Sequence, residues 1–387
     1  MPDLDLLVLG GGCAGLGLGL RLADGGAGSP RTHVLEAREQ YQDDRTWCFW
    51  RTAPHRFEPL IAATWDTMSV GRGGASGRYD CRDTPYQMLP SLPYYEDAQE
   101  RIGGSERVTL DLGVRVTSRP TRERDGWVVE TNQGVLRARH LVDTRPPATA
   151  PKCVLWQSFL GRVVRAEAPR FDPSTVTLMD FDEPNPRGVQ FTYVLPFSTH
   201  EALVETTVFG AQALGAEDLA ADLDLALEQR LAGAAASTVR SEHGALPMGF
   251  DAPAPAAPWV QAGLFHGGAR PSTGYAFQRI QTWAEACSRA LLAGGAPLPA
   301  APDSALRRGM DAVFLRVLRS EPERGPELLS RLFAAAPTHR VIRFLSDLGS
   351  TADALAVVSS LPPGPFLREA GAALLRRPLR QPLGEVG

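Results

Sequence analysis

The chain has 387 residues, enough for two or three lobes around sizeable cores, and its formal charge of −4 gives no footing for a nucleic-acid partner. Hydrophobic residues at 43% and charged residues at 22% exclude a disordered chain. No run of 18 or more apolar residues spans a bilayer, which leaves interfacial attachment open. The five cysteines (Cys13, Cys48, Cys81, Cys153 and Cys287) are scattered, odd in number and never in C-x-x-C spacing, which points to a reducing compartment without a disulfide framework. The seven histidines fall in no metal-ligand spacing, so no metal site is expected.

The first thirty-six residues carry the clearest pattern. Asp5-Leu6-Leu7-Val8-Leu9 is a short apolar run that predicts a buried parallel strand. It starts almost at once, so no signal or transit segment is expected before it. Gly10-Gly11-Gly12-Cys13-Ala14-Gly15 follows in G-x-G-x-x-G spacing, then a helical stretch to Ala23 and a second strand, Thr32-His33-Val34-Leu35, ending on Glu36. Gly10 permits the tight turn, Gly12 lets backbone approach a pyrophosphate, and Gly15 lets the helix pack on the strand. The helix N-terminus offers unpaired N–H groups to phosphate, and Glu36 can accept hydrogen bonds from a ribose diol. This is a dinucleotide-binding unit. In flavin-binding folds a loop bearing an arginine just after the ribose-binding acid lies near the flavin, which makes Arg45 a candidate. A surface loop whose aromatics seal the core is the other reading.

Residues 52–90 read as irregular, with the glycine-rich 71–77 as a surface loop that no helix pattern follows. Val108 to Val116 predicts a strand. Trp127–Thr131 and Val135–Arg139 flank Asn132-Gln133-Gly134 as a hairpin, and Leu141–Thr144 reads as a further short strand. Asp143 sits at its carboxyl end, where ligands gather in open α/β sheets, and could equally shape a turn before Arg145-Pro146-Pro147. Four β-rich runs (Val154–Val164, Ser174–Phe181, Val189–Leu195 and Ala202–Phe209) then predict a mostly antiparallel sheet. A helix over Ala216–Leu231 and a strand over Thr238–Leu246 follow. Ala252–Pro258 reads as a connection. Trp259 to Tyr275 presents a strand, a glycine cluster with Gly263, and Pro271-Ser272-Thr273-Gly274 opening a helix over Ala276–Ala293, a second helix start able to face a ligand. His266 beside the glycines reads as a structural hydrogen-bonder. Asp303 to Leu375 is expected to be helical.

The fingerprint, Arg45-Thr46-Trp47-Cys48-Phe49, the strand Leu203-Val204-Glu205-Thr206-Thr207, Gly244-Ala245-Leu246-Pro247, Pro271-Ser272-Thr273-Gly274-Tyr275 and the Arg343-Phe344 region with its later Leu-Pro-Pro together resemble the lycopene β-cyclase family over nearly the whole chain. The acid-bearing strand and the Pro-Ser-Thr-Gly-Tyr segment are its specific parts. The resemblance implies an α/β architecture: a Rossmann-like FAD-binding domain with a second, mostly antiparallel β substrate lobe and a helical C-terminal region. The expected division is 1–150 for the first part of the FAD-binding domain, 151–250 for the β-rich substrate lobe, 251–302 for the return segment and 303–387 for the helical region. It also implies cyclisation of the acyclic ends of lycopene, or of another acyclic-ended carotene, to γ-carotene or β-carotene. Reduced FAD is needed, with NADPH as electron source, although the net reaction is an isomerisation. The essential carboxyl of the family maps onto Glu205; its second acidic position is Thr206 here, so the resemblance does not carry a carboxylate pair. Gly263, Thr273 and Gly274 fall where two-lobed flavoproteins touch the flavin. Gly263 is followed by Leu264 rather than the aspartate common among flavoproteins.

A hydrocarbon offers no hydrogen-bonding group, so its site is expected to be an apolar tunnel. Cyclisation starts with a proton delivered to a terminal double bond; the tertiary cation is attacked by the neighbouring double bond, and loss of a ring proton gives the β-ring. A glutamic acid held protonated by an apolar pocket can begin this, and reduced flavin could either stabilise the cation or relay the proton; the sequence does not separate these two roles. Strand alternation puts Leu203, Glu205 and Thr207 on one face, but alternation alone allows a solvent-facing Glu205 equally well. Asp180 and Asp182 are the competing acids and read as turn formers. An FAD monooxygenase or isoprenoid-chain reductase of the same fold is the alternative enzyme. A third reading is a non-catalytic flavoprotein that binds carotenoids or docks other carotenoid-pathway enzymes. A cytoplasmic protein attached peripherally to a membrane surface is expected, because the substrate dissolves in lipid; Arg368, Arg376, Arg377 and Arg380 among leucines could sit on an anionic surface, though the sequence alone favours an ordinary solvated tail helix there.

Overall fold

The computed structural model describes residues 3–73, 76–181, 185–250 and 258–375, with 373–375 given by backbone alone. The connection expected at 252–258 lies, but for Pro258, outside them, as do Asp182 and the arginines of 376–380.

The first sheet grows from the apolar run. Leu4–Leu9 pairs in parallel with Thr32–Leu35 on one side and with Gly134–Asp143 on the other. Val108–Asp111 continues the parallel part beyond Thr32–Leu35. Gly134–Asp143 is one ten-residue strand where two were expected. Its first half forms the hairpin with Gly126–Thr131, and its last residues pair in parallel with Val260–Gln261. The helices Cys13–Asp24, Ser91–Gly103 and Phe277–Leu292 supply Leu16, Leu18, Tyr94, Ile102, Ile280 and Trp283 to the core against this sheet. The expected strand over Val108–Val116 stops at Asp111, and Gly113 turns the chain at φ +71°.

The second sheet has seven strands, in the order Ala236–Met248, Leu155–Ala166, Glu201–Gly210, Gly188–Pro196, Thr175–Phe181, Thr67–Gly71 and Gly77–Asp80. All neighbours are antiparallel except Thr175–Phe181 with Thr67–Gly71. Residues 52–90 are therefore not the irregular stretch expected. They hold four short strands, two of them in this second sheet and two, Ala63–Trp65 and Tyr86–Pro90, in a three-stranded sheet with Thr46–Trp50. Short strands buried on both faces lose the alternation that marks a strand in sequence; Met68, Ser69 and Val70 are all buried.

The helix Ala216–Leu231 covers one face of the second sheet, packing Leu219, Leu223 and Ala226 on Val204 and Val208. The opposite face meets helices Ala305–Ser320, Gly325–Ala335, Thr338–Leu345, Thr351–Ser359 and Pro363–Leu375. These are tied down by Arg270, which is fully buried and pairs with Asp311 at 3.3 Å and Asp347 at 3.5 Å while lying over the Phe344 ring. Breaking such a buried pair leaves an uncompensated charge. Arg270→Ala is expected to destabilise the protein by about 3–5 kcal/mol, read as a drop in Tm, with the C-terminal helices becoming the first target of limited proteolysis.

Candidate functional site

The dinucleotide end is built by three turns converging above the first sheet. Gly10 sits at φ +98°, and a Cβ on Gly15 would lie 1.9 Å from the Gly10 carbonyl oxygen, so the helix can meet the strand this closely only with glycine there. Gly12 is the N-cap of Cys13–Asp24 without a capping side chain, and a Cβ on it would meet nothing within 4 Å. The first-turn N–H groups therefore face open space, as an anion site requires. Glu36 lies under the turn: its carboxylate accepts from Gly11 N–H at 2.9 Å, and from the N–H and side chain of Arg38. Arg38, to which the sequence assigned no role, lies over the Tyr41 and Tyr95 rings and donates to the Gly11 carbonyl. Arg45 is exposed at the rim of the cavity described below, its guanidinium donating to the Asp44 carbonyl. Asp143 does not line that cavity; it accepts three hydrogen bonds from Arg145. Gly263, Thr273 and Gly274 do line it, beside Thr144 and Pro146. His266 lies in the Leu264–Gly268 turn, where burial lowers its pKa.

From here a cavity of about 1450 Å³ runs along the inner face of the second sheet to the C-terminal helices. Its walls carry Trp50, Phe159, Leu178, Phe191, Phe209, Tyr275, Phe314 and Phe366. It exceeds the volume of one drug-sized pocket, and Leu306, Val358 and Leu367 on its lining are exposed to solvent.

Glu205 opens onto this cavity and is only 8% exposed. Alternation holds as expected: Leu203 joins the core on the helical side with Glu205 and Thr207 beside it, and Val204 and Val208 face the helix Ala216–Leu231. The carboxyl accepts one hydrogen bond, from the Thr207 hydroxyl at 2.9 Å. Burial pushes its pKa up to about 8, the charge of Glu242 adds to the rise, and the Thr207 bond opposes it. Glu242 was missed in the sequence. It lies on Ala236–Met248, is buried, and accepts from Thr46 Oγ1 at 2.7 Å and from Arg240 at 2.6 Å. The competing acid Asp180 is occupied by Arg230 and by Gly73 N–H.

Three buried polar atoms on lining residues, Trp50 Nε1, Gln157 Oε1 and Asp311 Oδ2, have no hydrogen-bond partner among the described residues. With the open Gly12 turn they fit a site that closes around a bound dinucleotide cofactor; Glu36, its carboxylate bonded to Gly11 N–H and Arg38, does not line the cavity. The remaining apolar length fits a hydrocarbon.

The family profile described as "Lycopene cyclase protein" matches residues 5–370. The lycopene beta-cyclase of Paracoccus sp. (strain N81106 / MBIC 01143) is 30% identical over 415 residues, covering 97% of this chain and 98% of the relative. Among solved structures, a geranylgeranyl bacteriochlorophyll reductase-like protein from Thermoplasma acidophilum superposes with a TM-score of 0.63 at 11% identity, over 95% of this chain and 98% of that one. The flavin-dependent brominase Bmp2 does so at 0.62 and 14%, over 92% and 98%, and the flavin-dependent monooxygenase PieE at 0.60 and 14%, over 97% and 72%. At such identities the structural likeness speaks for the fold alone. The sequence matches, which span nearly the whole chain, place this protein in the lycopene cyclase family.

Proposed function

We propose that this protein closes β-ionone rings on the acyclic ends of lycopene, or of another acyclic-ended carotene, giving γ-carotene, β-carotene or both. The reaction has no net redox change and needs FAD in its reduced form, with NADPH as electron source. One observation carries the reading: a buried carboxyl, Glu205, with one hydrogen bond and a raised pKa, stands on the wall of a large apolar cavity.

Glu205 gives its proton to the terminal double bond, so that an O–H bond breaks and a C–H bond forms. Attack by the neighbouring double bond closes the ring and moves the positive charge onto a ring carbon, and the ring proton lost last, its C–H electrons forming the new double bond, returns to the carboxylate. Atoms and electrons balance without an external reductant. The aromatic walls exclude water from the cation and present π-faces to it. The first turn after Gly12 would hold the pyrophosphate, Glu36 the ribose, and Arg45, Gly263, Thr273 and Gly274 the flavin end; Asp143 acts through Arg145, which it orients beside the Gly10 turn. Reduced FAD bound there would supply negative charge beside the cation.

The substrate enters from lipid. Leu306 (63% exposed) and Leu367 (70%) line the cavity and reach solvent, and Leu355 (64%) stands on the same short helix as Val358. Among the described residues no helix is long and apolar enough to cross a membrane. Arg368 pairs with Glu321 at 2.5 Å, so lipid contact is better carried by these leucines than by that arginine. The Leu355→Asp/Leu367→Asp variant is expected to weaken flotation with liposomes about tenfold for each leucine and to leave Tm unchanged; unaltered flotation would remove this face from the membrane.

The deciding assay is anaerobic incubation of FAD-loaded protein with lycopene in liposomes and NADPH. Unchanged mass with a blue-shifted spectrum supports cyclisation, and the product identifies one ring or two. A gain of two hydrogens, or a product formed only in air, would replace the reading with the reductase or the monooxygenase.

A further inference from the structure

Four strands of the second sheet place a row of residues across the cavity wall: Glu242, Gly161, Glu205 and Tyr193, each opposite the next in register. Neighbouring strands stand about 4.8 Å apart, so the Cα atoms of Glu242 and Glu205 are separated by only about 10 Å. Gly161 between them carries no side chain. A Cβ there would lie 3.0 Å from Leu203 Cδ1, 3.2 Å from Glu205 Cβ and 3.4 Å from Glu242 Cγ, so the two acids flank the glycine from either side, with Leu203 over it.

Their surroundings differ. Glu242 is bonded to Arg240 and Thr46, and Arg240 is further anchored by Asp43 at 3.1 Å and by the Thr46 hydroxyl at 2.7 Å. Glu205 has the Thr207 hydroxyl alone. Two charged carboxyls in one buried site repel each other, and of the two only Glu242 has a cation beside it. The other titratable groups turned to this wall are Cys48, Tyr86, Tyr193 and Tyr275, all pushed up by burial and neutral through the working range, and Asp311, which is paired with Arg270.

We propose that Glu242 is a positioning residue for the reaction: its carboxylate, ion-paired to Arg240 and set one glycine away from Glu205, keeps the proton on Glu205 until a double bond takes it. Glu242 is a second carboxyl on the cavity wall; position 206, which alternates with Glu205, lies on the opposite face with Val204 and Val208. When Glu205 has given its proton, two buried negative charges face each other across Gly161, which drives the proton lost from the ring back to Glu205. The inference rests on Glu205 being the acid.

The test is a titration of the Glu205 carboxyl by infrared difference spectroscopy, its band identified by loss in Glu205→Gln, together with the pH profile of turnover. In Glu242→Gln the midpoint and the alkaline limb are expected to fall by about one pH unit or more. Glu242→Asp, which restores the charge, should return most of the shift. Should Glu242→Gln fail to fold, Gly161→Ala keeps both acids and drives them apart, and the same fall is expected. A folded Glu242→Gln or Gly161→Ala variant with an unmoved midpoint, while Glu205→Gln is inactive, overturns this inference alone. Full activity in Glu205→Gln overturns the assignment of the acid and this inference with it.

Discussion

Glu205→Gln is expected to lower ring closure by about 10²–10⁴-fold, the range that a positioned general acid contributes, while flavin content and fold persist. Glutamine keeps the shape and the bond from Thr207 but has no proton of comparable acidity. Turnover of the wild type is expected to hold below pH 8 and to fall as the pH rises through about 8, because only the protonated carboxyl can start the reaction. Stability carries the same signature. The folded pKa stands above the ordinary value of 4.5, so the folded protein binds the proton more tightly than the unfolded chain does. The stabilisation is fully present below about pH 4.5 and is lost as the pH rises to about 8. Tm of the wild type should therefore fall relative to Glu205→Gln across this window. Product chromatography and paired melting curves check both statements. Undiminished ring closure in the variant would reject Glu205 as the acid, and parallel melting curves would reject its buried, protonated state.

The dinucleotide unit was legible because its chemistry is local: Gly10, Gly12, Gly15 and Glu36 lie within one strand–helix–strand run, and spacing alone brings them together. Glu205 was legible through the motif around it, and alternation placed it on the correct face. Its burial was not, since an isolated strand cannot say which face meets solvent; the C-terminal helices that cover its face across the cavity decide that. Glu242 stayed hidden for a different reason. It reaches Glu205 only through two strand registers, 205 with 161 and 161 with 242, and no local pattern encodes that row. The signal available was Ser241-Glu242-His243, polar residues just ahead of Gly244-Ala245-Leu246-Pro247, and it is too weak to pick one acid. The helix Ser91–Gly103 did leave a trace, with Tyr94, Tyr95, Ala98 and Ile102 buried at helical spacing, but Pro93 inside its first turn argues for an irregular reading unless its position near the N-terminus is weighed. Residues 67–80 could not be assigned to the second sheet from sequence, because their partner strand lies about a hundred positions further on.

Gly15→Ala and Gly12→Ala, three residues apart, are expected to fail in opposite ways. At Gly15 the added methyl would stand 1.9 Å from the carbonyl oxygen of Gly10, a backbone atom fixed by the turn and by the Thr144 hydroxyl that donates to it. Neither partner is a flexible side chain, so strand and helix must part, and with them the core around Leu16, Leu18 and Val8. The expected cost exceeds about 4 kcal/mol, the range reserved for the severest single substitutions, and little soluble, cooperatively melting protein should remain. At Gly12 the methyl meets nothing within 4 Å, so the flavin-free protein should melt as the wild type does. The space it enters is the one the pyrophosphate would fill at the helix N-terminus. Flavin affinity should drop by about two orders of magnitude, in line with about 2–3 kcal/mol of lost anion contact and crowding. Melting curves without flavin, together with flavin retention after gel filtration, separate the two outcomes. Unchanged flavin retention in Gly12→Ala would mean that the cofactor does not sit on this turn. A normally folded Gly15→Ala would mean that the strand and helix do not meet at the distance on which the whole site depends.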